Sequence, residues 1–177
     1  MPELMTPRLR LRPPEASDFD AWAALMADPE SARYIGGVQP RAAAWRGFLC
    51  MVGAWQIQGF GMFSVIERRT GQWLGRIGPW QPEGWPGTEV GWGLLTEHQG
   101  QGYAREAALA CIDWAFDTLG WHEVIHCIDP ANLPSQRLAE RLGACNSGAG
   151  RLPPPFEDAP IEIWRQTRAQ WRARPRD

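Results

Sequence analysis

Residues 97–105, Glu-His-Gln-Gly-Gln-Gly-Tyr-Ala-Arg, have the types and spacing of a turn that can hold a phosphate group. Gly100 and Gly102 permit backbone angles closed to other residues and take Cβ atoms out of the approach path. The segment joins a predicted strand to a predicted helix. At the start of that helix, amides without intrahelical partners point outward, with the positive end of the helix dipole behind them. A pyrophosphate suits such a turn. Two other phosphate motifs fail here. The Walker turn requires a lysine, and all 18 basic residues of this chain are arginine. The dinucleotide turn requires glycine where Arg105 stands. The missing lysine also excludes Schiff-base lysine chemistry and acetylation of the chain's own lysine side chains. A glycine-rich loop with no ligand remains the plain alternative for this segment taken alone.

The elements that must position this turn follow from periodicity. Arg8–Arg12 alternates strictly and predicts a half-buried strand, ended by Pro13-Pro14. Ser17 is read as the cap of a helix bearing Phe19, Trp22, Leu25 and Met26 on one face. After Gly36-Gly37, a second helix over 41–57 carries Trp45, Phe48, Leu49, Val52 and Trp55. A hairpin follows, with strands 60–68 and 73–80 around Arg69-Thr70-Gly71. Then come a Pro/Gly/Trp loop (81–87), a fourth strand (88–95), and a long helix (102–119) whose inner stripe is Ala104, Ala108, Cys111, Ile112, Ala115 and Leu119. A fifth strand (123–128), a short helix (135–142) stopped by Gly143, a strand (161–166) and a last helix around Trp171 complete the chain. A strand, helix and strand in that order make the fourth and fifth strands parallel. The expected fold is α+β: one domain over 1–177, with a mixed sheet of six to seven strands and helices on both faces.

Composition narrows the class. With 44% apolar and 21% charged residues the chain reads as globular,. No apolar run approaches the roughly 20 residues needed to span a bilayer. Met1–Arg12 shows no signal-type apolar stretch, so a cytoplasmic location is expected. Cys50, Cys111, Cys127 and Cys145 form no zinc or redox pattern and are expected to be free thiols, mostly buried. A net charge of -2 provides no global field for nucleic acid,.

Gln99-Gly100-Gln101-Gly102-Tyr103-Ala104 matches the signature [Q/R]-x-x-G-x-[G/A] of the GNAT superfamily of acetyltransferases, and the whole pattern resembles that family. Within it, the chain resembles the branch related to ribosomal-protein N-terminal acetyltransferases. Glu89-Val90-Gly91-Trp92 is similar to the branch's E-[IV]-G-[YW] strand. Asn132-Leu133-Pro134-Ser135 with Glu140-Arg141-Leu142-Gly143 is similar to its N-x-x-S…E-[KR]-L-G, and Thr6–Arg12 to its opening strand. Two positions depart from the pattern. Ala144 stands where an aromatic is common, and His126 where a small residue is usual; both bear on the acceptor side.

The resemblance implies an N-acetyltransferase that moves the acetyl group of acetyl-CoA to a primary amine, on a peptide N-terminus or a small molecule, by direct attack in a ternary complex. No metal is implied. The predicted fourth and fifth strands would splay, with the pantetheine arm in the gap, bound by backbone of Trp92 and Leu94. Amides of Gln99, Gly100, Gln101, Gly102, Tyr103 and Ala104 would hold the pyrophosphate, and Asn132 would touch the pantetheine; a simple turn role for Asn132 is its rival. Strand amides can serve the oxyanion. Ser135 is the candidate to protonate the leaving thiolate, although it also stands where a helix cap is wanted. Glu89 is the first candidate for the base, its pKa raised by burial in a central strand. A structural carboxylate paired with arginine is the alternative, and His126 is a second candidate base.

The acceptor is less legible. The first two helices, the 81–87 loop and the 153–160 loop are expected to border its pocket, with Trp80, Trp85, Trp92 and Phe156 as lining. Glu83, Glu157 and Asp158 are too scattered to mark a polyamine site. Five arginines from Arg165 to Arg176 read as a solvated face, so neither ribosome nor nucleic-acid contact is expected. Tryptophan content permits a homodimer. A catalytically silent acyl-CoA sensor or interaction protein with the same fold is the functional alternative.

Overall fold

The computed structural model describes residues 2–174. Arg176, part of the C-terminal arginine run, lies outside the described residues. Strands β1 (Leu4–Met5) and β2 (Leu9–Arg12) open the chain, followed by helices α1 (Phe19–Ala27), α2 (Pro29–Ala32) and α3 (Arg41–Ile57). Next come β3 (Phe63–Glu67), β4 (Trp73–Trp80), β5 (Glu89–Leu94) and the long α4 (Tyr103–Asp117). Strand β6 (Glu123–Ile128), α5 (Leu133–Leu142), β7 (Cys145–Gly150), β8 (Ile161–Thr167) and α6 (Arg168–Ala173) complete the fold.

All eight strands form one mixed sheet, in the order β1-β2-β3-β4-β5-β6-β8-β7. The β5–β6 pair is parallel, as the intervening helix requires, and its neighbours are antiparallel. The count exceeds the expected six to seven because of β1 and β7. The latter reads Cys-Asn-Ser-Gly-Ala-Gly, is largely exposed, and has little strand propensity,. Its pairing with β8, broken by an irregularity between Asn146 and Ala149, makes it a strand.

Period-two alternation divides the side chains into two cores. Leu9, Leu11, Val65, Leu74, Ile77 and Val90 pack on the buried Ala107, Ala108, Cys111, Ile112 and Ala115 of α4. On the opposite face, Met62, Ile66 and Trp73 pack on Trp22, Leu25 and Met26 of α1 and on Phe48 and Met51 of α3. Small residues along α4 let that helix lie close to the sheet beneath the turn it must orient. Arg12 is buried, against the simple alternation expected of β2. Its guanidinium makes two 2.7 Å hydrogen bonds to Asp18, whose carboxylate also accepts from Ser64 at 2.7 Å. This pairing pins the start of α1 to β2 and β3.

Several local expectations are corrected. Ser17 caps nothing: it sits inside a 3-10 turn (Ala16–Asp18), where Asp18 closes a capping box on Glu15. The buried stripe of α3 is Ala44, Phe48, Met51 and Trp55, whereas Trp45 and Leu49 are exposed. β3 starts at Phe63 rather than 60, after the glycines at 59 and 61. Cys50 and Cys145 are exposed, so only Cys111 meets the expectation of a fully buried thiol. Three C-terminal arginines meet acids: Arg165 with Glu123, Arg168 with Asp117, and Arg172 with Asp113 and Asp117. No helix among the described residues is long and apolar enough to cross a membrane.

Candidate active site

The parallel pair holds together at only one register position, Glu89 opposite Ile125. The Ile125 amide donates to the Thr88 carbonyl at 2.9 Å, and beyond that the strands part. Val90 carbonyl, the next one facing β6, is met by a side chain instead: His126 Nδ1 lies 2.7 Å away. By the same alternation the backbone groups of Trp92 and Leu94 face the gap. Leu94 carbonyl accepts from Gln99 Nε2 at 3.0 Å.

Glu89 stands at the point of parting. It is buried, with one carboxylate oxygen accepting from the Cys127 amide at 3.1 Å and the other from Trp85 Nε1 at 2.5 Å. Burial pushes its pKa up to about 7, against the opposing pull of those two donors and of the Arg76 charge,. At neutral pH such a carboxyl can accept a proton and return it. No arginine forms an ion pair with it among the described residues, although the Arg76 charge acts on it.

His126 has the opposite character. A carbonyl can only accept, so Nδ1 carries the proton. Gln166 Nε2 lies 3.5 Å from Nε2, and burial pushes the pKa down to about 4. The ring is 1% exposed and rests on Trp92, with centroids 4.7 Å apart. It occupies the place beside the Val90 carbonyl where a β6 amide would otherwise pair.

Asn132, rather than Ser135, caps α5: its side chain accepts from the Ser135 amide at 3.2 Å. The Ser135 hydroxyl is thereby released from capping. It accepts from Trp92 Nε1 at 3.1 Å, which leaves its own proton free to donate into the gap,.

The turn has the backbone expected of it. Gly100 has φ 72° and Gly102 φ 81°, both left-handed, and Gly102 caps α4. Among the described residues, no protein acceptor takes the amides of Gly100, Gln101 or Gly102. Tyr103 and Ala104 begin the helix, where amides lack intrahelical partners. Gln99 differs: its amide donates to Thr96 carbonyl at 3.1 Å, and with its side chain on Leu94 it braces the turn from within. Arg8 lies outside the turn, donating to Gln101 carbonyl at 3.0 Å and to Glu106 at 2.6 Å, with its guanidinium over the Tyr103 ring. The free amides and the parted strands fit a ligand with a diphosphate at one end and an extended amide chain at the other.

A cavity of about 710 Å³ joins the gap between β5 and β6 to the α1–α3 side. Its walls include Trp92, His126, Asn132 and Ser135, and also Trp22, Trp80, Trp85, Arg76 and Phe156. These groups belong to opposite faces of the sheet, and a single cavity reaches both because β5 and β6 separate. The expected bordering loops and aromatics all line it, as do Glu83 and Asp158.

Sequence reasoning missed Arg76, which points into this cavity from β4, and a cluster joining α2 to the turn. Asp28 caps α2 and accepts from Thr96 Oγ1 at 2.7 Å, while Thr96 amide donates to Ser31 Oγ at 3.0 Å. The Ser31 and Thr96 donors hold the Asp28 carboxyl down at about 2. The Asp-Pro at 28–29 signalled a capped helix start; no local signal linked it to Thr96.

Residues 8–144 match the family described as "Acetyltransferase (GNAT) domain". The chain is 32% identical over 144 residues to the uncharacterised Bacillus subtilis protein YkkB, covering 80% of this chain and 84% of that one. It is 30% identical to the uncharacterised N-acetyltransferase p20 of Bacillus licheniformis, over 84% of this chain and 85% of its relative. An acetyltransferase from Agrobacterium tumefaciens superposes with a TM-score of 0.82 at 34% identity, covering 95% of both chains. The ribosomal-protein-S5-alanine acetyltransferase of Vibrio fischeri, 18% identical, shares the fold with a TM-score of 0.72 over 99% of this chain and 100% of its own. Because the family match over residues 8–144 runs from β2 to the end of α5 and includes the turn before α4, the chain belongs to the GNAT acetyltransferase family.

Proposed function

We propose that this protein transfers the acetyl group of acetyl-CoA to a primary amine, with the acceptor attacking directly in a ternary complex. The observation that carries the reading is the buried Glu89 carboxyl, with its pKa near 7, at the point where β5 and β6 part. Gly100, Gln101, Gly102, Tyr103 and Ala104 would hold the pyrophosphate through their amides, and Trp92 and Leu94 the pantetheine through backbone. Asn132 would act through the α5 cap, positioning Ser135 rather than touching the ligand.

Bound acetyl-CoA supplies the acyl group as a thioester, whose C–S bond breaks as the C–N bond to the acceptor forms. Glu89 takes one proton from the acceptor ammonium and later gives it to solvent. Ser135 donates its hydroxyl proton to the departing sulfur and regains one from the acceptor nitrogen. Trp92 Nε1 fixes the serine oxygen so that its proton, not its lone pair, faces the gap. Backbone amides along β5 are available to the oxyanion.

Release of free CoA thiol, followed with acetyl-CoA and a panel of amines and peptide N-termini, tests this. Amine-dependent thiol release and a matching N-acetyl product by mass spectrometry are expected. Tight acetyl-CoA binding without turnover on any amine would replace the enzyme with a sensor.

A further inference from the structure

Among the described residues Arg76 forms no ion pair, and it lines the cavity. Its Nη1 touches the Met62 thioether sulfur at 2.5 Å, and its guanidinium lies 5.2 Å from the Trp22 ring centre. Its Nε is buried with no hydrogen-bond partner, and no carboxylate of the described residues forms an ion pair with it. An arginine side chain stays charged and offers a planar fork of donors. Holding a half-buried charge with only a thioether sulfur for a partner is costly, so such a fork inside a cavity calls for an anion from outside the chain,.

Its position relative to Glu89 gives that anion a place in the reaction. Arg76 pairs with Gly93 and Trp80 with Glu89, and the Gly78–Gly91 pair lies between them on the same face. With two glycines at that middle position, neither β4 nor β5 contributes a side chain there, and Met62 lies against Gly91. A Cβ on Gly91 would lie 2.8 Å from Met62 Cε and 3.4 Å from Glu89 Oε1. The Met62 side chain thus touches the Arg76 fork through its sulfur and lies with its methyl group near the Glu89 carboxyl. Burial lowers the Arg76 pKa, and the Glu89 charge partly offsets this, so the two groups sense each other.

We propose that the acceptor is an amino carboxylate of amino-acid size, its carboxylate held by Arg76 while its amine faces Glu89. Exposed Glu83 and Asp158 stand among the cavity's other lining residues; they can draw in the ammonium end but do not neutralise Arg76. This assignment rests on the transferase reading and names its substrate class. The chemistry is unchanged: the C–N bond forms, the C–S bond breaks, and the carboxylate passes into the product intact.

The test uses the full chain with saturating acetyl-CoA and reads thiol release. Acceptors are free α- and ω-amino acids, each paired with its carboxamide. A charged hydrogen-bonded pair corresponds to a preference for the acid on the order of 10- to 100-fold in kcat/KM. In Arg76→Met that ratio is expected to collapse toward one, and Arg76→Lys to recover part of it. Should the variants fold poorly, the wild-type acid-to-amide ratio still decides. So does competition: simple carboxylates lacking an amine are expected to compete with the acceptor and not with acetyl-CoA. Turnover of carboxamides, plain amines or peptide N-termini at rates equal to the acids would overturn the assignment and leave the transferase standing. A preference for acids that survives in Arg76→Met would do the same. Acetyl-CoA binding with no amine turned over would remove both readings.

Discussion

At the Gly100–Gly102 turn the groups available to a ligand are backbone amides, whereas across β5 they are side chains held against their own solvation. The turn needs only two left-handed glycines and a helix start, and nothing charged is buried to make it. The acceptor side buries Glu89 and orphans the Nε of Arg76. A backbone grip costs the fold little and discriminates little beyond diphosphate. Desolvated side chains destabilise the fold, yet such groups are what can move a proton, and on the proposed reading they choose the acceptor.

Substitutions can separate the two regions. Glu89→Gln removes the proton acceptor while keeping the shape, and its single amide oxygen can accept from only one of the two donors, the Cys127 amide or Trp85 Nε1,. Turnover should fall by on the order of 10²- to 10⁴-fold, with acetyl-CoA affinity retained in calorimetry. Parallel loss of affinity would erase the distinction. Gly102→Val should do the reverse. A Cβ at φ 81° is strained and would come within 3.3 Å of Arg8 Nη2. About tenfold or more of acetyl-CoA affinity should go, with turnover at saturation largely kept. Ser135→Ala should lower turnover about tenfold, a modest loss because a thiolate leaves readily even unassisted. No change would assign the hydroxyl to Trp92 alone.

The cost of the acceptor side should appear in stability. A carboxyl whose pKa rises from 4.5 unfolded to about 7 folded binds its proton more tightly in the native state. Its contribution is complete below the unfolded value and is lost as pH rises through about 7. The loss amounts to roughly 3 kcal/mol. Denaturant melts of wild type and Glu89→Gln should therefore diverge above neutrality, with wild type losing stability relative to the variant as pH rises. Identical curves from pH 4 to 8 would mean that Glu89 is not desolvated.

The same contrast explains what could be read without coordinates. Gly100 and Gly102 announce their backbone role by type and spacing, so the turn, α4 and the parallel β5–β6 pair were legible. β4 and β6 fell at their expected bounds. What side chains do across the sheet was not legible. That His126 would occupy the Val90 carbonyl depends on where β6 lies relative to β5. Asn132 and Ser135 are both good caps, and only the entry path of the chain selects Asn132. Arg76 looks like any alternating strand residue until Gly91, Gly93 and Met62 are placed around it. β7 has no strand signal of its own; β8 makes it one.

The central claim is that Glu89 exchanges the proton. The direct measurement is the pH dependence of kcat/KM, in wild type and Glu89→Gln, with one acceptor amine. A wild-type rate that rises with pH through an apparent pKa near 7, and a variant that lacks that limb, is the result this account predicts. An ascending limb of the same position and height in both proteins would contradict it.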